Sequence, residues 1–188
     1  VELPMLPRLD IWDKLFEHGI YQEEQFRFVE ALPPILQQKL LVRLHPNFKH
    51  MEWFEVQRWK DRSPHIKLET GVVPLHQLIS GSQLVISSYD STTILECLGL
   101  NIPIIGFWNG GWNHLNPKAK PYYELLRNVD ILADTPEHAA ELVASHCENV
   151  GRWWESRKVQ DARKEFCDLY ARTEKRPIRK LKQILTSI

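Results

Sequence analysis

Five short apolar runs alternate with amphipathic stretches between residues 39 and 134, and this alternation limits the possible folds more than any other feature. The runs are "KLLVRLHP", "HIKLET", "QLVISS", "IPIIGFW" and "DILAD". Between them stand "NFKHMEWFEVQRWKDR" (an aromatic-rich helix or long loop), "PLHQLISGS", "TTILECLGL" and "KAKPYYELLRNV". Short apolar strands alternating with helices of about ten residues predict βαβ units and a parallel sheet. Near-continuous apolarity within each run is what a sheet covered by helices on both faces demands. The expected class is α/β: a doubly wound parallel sheet of about five to six strands, followed by long C-terminal helices.

The flanks follow from prolines and spacing. Residues 1–20 read as a connecting segment. From Tyr21 to about Leu41, Phe26, Val29, Leu32 and Leu36 recur at helical spacing, and Pro33-Pro34 must interrupt that helix because proline lacks an N–H. Thr135-Pro136-Glu137 is a cap followed by proline, the signature of a helix start. The helical pattern then runs through Val143, Cys147, Val150, Trp154, Val159, Ala162, Phe166 and Leu169, with Gly151 expected to bend or split it. Pro177 opens a last amphipathic helix bearing Ile178, Leu181, Ile184 and Leu185. The expected organisation is a ligand-binding domain over 21–135, with C-terminal helices over 136–188 packed on it.

Twenty-four basic residues balance twenty-four acidic ones, so no overall field draws nucleic acid or an anionic membrane, and any anion site must be local. Cys97, Cys147 and Cys167 lie far apart, as expected of reduced thiols in a cytoplasmic protein. No apolar run approaches the ~18 residues that span a bilayer. The Val-Glu-Leu-Pro start suggests an excised piece of a larger protein, although a trimmed start would look the same.

Sheets of this kind bind ligands outside the carboxyl ends of their strands. The segments there are "RLHPN", "ETG", "SSYDSTT", "FWNGG" and "ADTPE". In "SSYDSTT", a strand ending near Ser87 gives way to a helix starting near Thr92 or Thr93. First-turn amides lack partners and carry the positive end of the helix dipole, so this is a ready phosphate site. Ser87, Ser88, Ser91, Thr92 and Thr93 add five hydroxyls. Thr93 and Glu96 also fit a reciprocal capping box, so the stretch reads equally as a well-capped turn. At another strand end, Pro46 biases His45 towards extended backbone, two residues after Arg43. A histidine beside a phosphate can stabilise a departing phosphate group.

The expected site thus has His45 as its catalytic residue, with Arg43, Ser87, Ser88, Tyr89, Ser91, Thr92, Thr93, Glu96 and Asn109 binding substrate. Trp108 reads better as core than as a stacking platform, and Glu69-Thr70-Gly71 better as a plain turn. Trp153 and Trp154 read as packing the long helix onto the sheet or onto a partner domain. The basic "EKRPIRKLKQ" reads as a solvated helix face, with no nucleic-acid role. No zinc-ligand spacing, Gly-x-Gly-x-x-Gly, Walker A or Gly-x-Ser-x-Gly is present, and no cofactor is expected.

His-Pro at one strand end and Ser-Ser at another resemble the paired motifs of bacterial sialyltransferases and capsule polysialyltransferases, with related elements in Kdo transferases. Over roughly residues 24–173 the chain is similar to a narrower group, a transferase family associated with surface-carbohydrate biosynthesis. The strings that carry this are "VRLHP", "RWKD", "YDSTTILECLGLNIPIIGFWN", "AKPYYELL", "TPEHAA" and "WWESRKVQDARKEFCDLYAR". The resemblance implies the Rossmann-like C-terminal half of a GT-B glycosyltransferase, binding a nucleotide-sugar donor with CMP preferred. Ser87, Ser88 and the hydroxyls after them would meet the donor phosphate, and His45 would assist the leaving nucleotide.

The Asp/Glu-Asp-Gly motif that supplies the catalytic base in those enzymes has no counterpart here, and the chain is about one domain short. The expectation is therefore a donor-binding part, inactive alone, whose partner is an N-terminal acceptor-binding domain. Peripheral membrane association of the full-length protein is compatible with that role. The alternatives are a CDP-glycerol-type polymer transferase domain and a non-catalytic interaction module.

Overall fold

The computed structural model describes residues 15–45, 54–108, 112, 114–172, 174 and 176–186. Helix α1, Leu15–Ala31, stops ahead of Pro33 and restarts as the single turn α2, Pro34–Gln37. The residue before a proline is pushed out of the helical region, so the Pro-Pro pair sets this boundary. Strand β1 (Leu41–Arg43), helix α3 (Glu55–Arg62), strand β2 (Lys67–Glu69) and helix α4 (Leu75–Ser80) follow. Then come β3 (Val85–Ser87), α5 (Thr92–Gly99), β4 (Ile104–Gly106), α6 (Lys120–Arg127) and α7 (Pro136–His146). The chain closes with α8 (Val150–Trp154), α9 (Arg157–Tyr170) and α10 (Pro177–Thr186). Among the described residues no helix is long and apolar enough to cross a membrane.

The expected doubly wound sheet of five to six strands is not what forms. The fold is mainly helical, with two separate two-stranded parallel sheets among the described residues. In one, β1 and β2 pair Leu41 with Lys67 and Arg43 with Glu69. In the other, β3 and β4 pair Val85 with Ile104 and Ser87 with Gly106. The "DILAD" run contributes only an isolated parallel bridge, Leu132 to Gly106. β1 and β3 do not join. Leu41–Arg43 and Val85–Ile86 instead line a cavity of about 530 Å³ between the two sheets. Apolar runs specify burial, and here burial is met by helices and by this cavity, leaving ladders only three residues long.

β4 divides the core. Ile105 belongs to a cluster with Phe26, Phe28, Leu44, Trp59 and Phe107, covered by α1 and by Ala139, Ala140 and Val143 of α7. Ile104, facing the other way, belongs to a cluster with Ile94, Leu98, Tyr123, Leu126, Trp154 and Phe166. Alternate residues of a strand point to opposite faces, so one short strand serves both clusters.

Polar contacts lock the helices. Arg62 of α3 bridges Glu23 and Glu30 of α1 and lies over the Phe26 ring, while Arg27 grips Glu137 of α7 with two hydrogen bonds. Thr135 caps α7 by accepting the His138 N–H, as its sequence predicts. The long C-terminal helical run is split twice, between His146 and Val150 and between Trp154 and Arg157, and not at Gly151, which lies inside α8. Trp154 is buried with its indole N–H on Asn101, and Trp153 donates to the Val129 carbonyl.

Candidate functional site

The "SSYDSTT" turn leaves β3 pinned from both sides. Ser87 is buried, and its hydroxyl donates to the Tyr89 carbonyl at 2.9 Å, curling the chain at the strand end. Ser88 is buried as well, and its Oγ accepts the Gln25 amide of α1 at 2.9 Å and lies 3.4 Å from the Tyr21 hydroxyl. Tyr89 meets Tyr21 edge-to-face with ring centres 6.0 Å apart. Both serine hydroxyls are therefore engaged within the chain and hold the turn against α1.

Beyond them the turn opens. Ser91 is the N-cap of α5, with extended backbone and no side-chain cap hydrogen bond. Thr92 is exposed in the first helical turn, Thr93 is buried, and Glu96 is exposed. The Thr93–Glu96 capping box does not form, because the helix begins two residues too early for Thr93 to be its cap. The residue three past Ser91 is Ile94, which has nothing to return to the cap. The leading N–H groups of α5 consequently donate no hydrogen bond to the N-cap side chain, the arrangement that suits an anion.

Asp90, at the same turn, carries a contact the sequence did not announce. Its Oδ2 lies 2.8 Å from His114 Nε2, and the Tyr123 hydroxyl donates to the same carboxylate at 3.3–3.4 Å. Trp108 packs edge-on to both the His114 and Tyr123 rings. Trp108 itself is buried, so its role is to frame this cluster. Burial, and then the Asp90 charge, push the Tyr123 phenol well above its ordinary value and keep it a hydrogen-bond donor. A carboxylate on one ring nitrogen fixes a histidine's tautomer and leaves the other nitrogen for chemistry. His114 is about half exposed, so Nδ1 can reach a ligand.

The β1–β2 end is built on a buried ion pair. Arg43 Nε faces Glu69 Oε2 at 3.3 Å across the strand pair, and Arg43 Nη2 reaches the Val73 carbonyl. Glu69 also accepts the backbone N–H groups of Gly71, Val72 and Val73 at 3.1, 2.6 and 2.9 Å. Burial alone would raise this carboxyl, but those three amides and Arg43 outweigh it and hold Glu69 below its ordinary value. Gly71, at φ 79°, makes the left-handed turn that brings the amides round. Burial first, and then the Arg43 charge, lower the His45 imidazole below its ordinary value and favour its neutral, hydrogen-bonding form.

Arg43 of β1 and Ser88, the residue just past β3, line the same cavity together with Gln25. Asn109 and Pro46 lie outside the described residues. Cys97 and Cys167 are buried free thiols and Cys147 a half-buried one. Among the described residues, no group of three or more His, Cys, Asp or Glu could hold a metal ion.

Comparison with known families defines the chain first as a transferase. The model described as "LIC12162 family transferase" matches residues 2–185, so the chain belongs to that family. No curated protein and no solved structure matches it.

Proposed function

We propose that this transferase chain binds a nucleotide-activated sugar and serves as the donor-binding part of a glycosyltransferase in surface-polysaccharide biosynthesis, with a CMP-linked acidic sugar as the donor. The observation that carries the reading is the start of α5, which follows β3 with its first turn free of any side-chain cap and with Ser91 and Thr92 beside it. The donor phosphate sits on the Thr92 and Thr93 amides and the adjoining hydroxyls, where dipole and hydrogen bonds act together. His45 hydrogen-bonds the departing nucleotide. Ser87 and Ser88 shape the turn from beneath, and Asp90 with His114 borders it.

Calorimetric titration with CMP, CDP, UDP and GDP tests this. The expected result is saturable CMP binding that weakens about tenfold in Thr92→Val and in His45→Ala. A preference for UDP or GDP removes the CMP assignment and keeps nucleotide binding. No binding of any of the four at millimolar concentration overturns the proposal.

A further inference from the structure

Every described residue from Arg176 through Thr186 is exposed, and α10 buries none of its side chains. That is unusual for a helix bearing four large aliphatic residues. Ile178, Leu181, Ile184 and Leu185 are 71%, 57%, 51% and 63% exposed, and spacings of three and four place them along one stripe. Arg179, Lys180 and Lys182 stand among the helix's remaining positions with Gln183 and Thr186, Arg176 directly precedes it, and "PIRKLKQILT" contains no acidic residue. The chain as a whole is electrically balanced, so this concentration of one sign is local. By contrast, α9 mixes its arginines and lysines with Asp161, Glu165 and Asp168.

We propose that α10 is a docking helix for an anionic lipid surface. The aliphatic stripe enters the boundary between headgroups and acyl chains, and the cations flank it at headgroup level. Charge decides between this occupant and a groove on another protein. A helix seated in a protein groove needs only its apolar stripe matched, and its outer face can carry both signs. On an anionic membrane every cation beside the stripe adds to binding, and an acid there would subtract. The polar face of α10 is cationic throughout apart from Gln183 and Thr186. The ion pair between Lys180 and Glu174, at 3.1 Å, is solvent-exposed and gives way readily to lipid phosphates. This inference stands independently of the donor proposed above.

Co-flotation of the chain with vesicles tests it, comparing phosphatidylcholine alone with a phosphatidylcholine–phosphatidylglycerol mixture. Binding is expected to the anionic vesicles only, and to fall as salt is raised. Arg179→Gln with Lys180→Gln should weaken it about thirty-fold, from roughly fivefold per lost cation. Leu181→Ser with Leu185→Ser should weaken it at least tenfold while leaving every charge in place. Because these side chains are exposed, all variants should melt with the parent. Equal binding to both vesicle types, no binding to the anionic ones, or full retention by the serine variant would each overturn the proposal. The last outcome would mean simple attraction of a polyanion.

Discussion

His114 Nε2 lies 2.8 Å from Asp90 Oδ2, and the Tyr123 hydroxyl donates to the same carboxylate. One acid thus joins the turn after β3, the segment after β4 and helix α6. Asp90→Asn keeps the size of the group and removes its charge. Tyr123 is raised by burial first and by Asp90 second, so the phenol should fall in this variant yet stay above its ordinary value near 10. Titration of isotopically labelled tyrosine by NMR reads this directly. An unmoved phenol would show that the carboxylate does not act on it.

Ser88→Ala separates architecture from ligand binding. The hydroxyl accepts from buried Gln25, whose Oε1 has no hydrogen-bond partner among the described residues. Removing the acceptor strands the amide, at a cost of about 1–3 kcal/mol. Urea unfolding should show that loss whether or not the protein binds nucleotide. CMP affinity, corrected for the folded fraction, should change less than in Thr92→Val, because Ser88 lies under the turn and Thr92 on it. A larger loss of affinity in Ser88→Ala would instead put that hydroxyl on the donor.

Much of the chain's punctuation was legible. Pro33-Pro34, Thr135-Pro136 and Pro177 fall at helix boundaries because proline and cap chemistry act over a few residues. Four of the five strand-like runs form strands and "DILAD" forms only a bridge, and their pairing was not legible, because Leu41 and Val85 look equally apolar beside a partner strand or beside a cavity. A hydrogen-bond ladder leaves no mark on side-chain pattern. The same limit explains the site. Ser87, Ser88 and Thr92 share a local signature, yet only Thr92 is exposed, and what buries Ser88 is Gln25, 63 residues away. Asp90 and His114 stand 24 residues apart with no motif between them, so only the folded chain brings them together.

Glu69 should govern acid stability. Its folded value lies below the ordinary glutamate value of 4.5, so it binds fewer protons folded than unfolded at intermediate pH. Its contribution is therefore present above pH 4.5 and lost as pH falls through the folded value. Glu69→Gln removes the charge that three backbone amides and Arg43 face, leaving a buried cation without its anion. The expected cost at neutral pH is about 2–4 kcal/mol, with a flatter stability profile below pH 5. Denaturant titrations at several pH values check both, and parallel profiles for the parent and Glu69→Gln would refute the linkage.

Cys97 sets a counterpart on the alkaline side. Burial, with a smaller push from the charge of Glu96, raises its thiol from 9.0 to about 11. The folded chain therefore holds this proton where the unfolded chain releases it. The stabilisation is complete below pH 9 and is lost as pH climbs through 11, on the order of 2 kcal/mol in all. Cys97→Ala should lower stability slightly at pH 7, by about 1 kcal/mol for the vacated sulfur volume, and should flatten the decline between pH 9 and 11. If the decline persists with the same slope in Cys97→Ala, another group carries it, and Tyr123, raised for the same physical reason, is the next to replace.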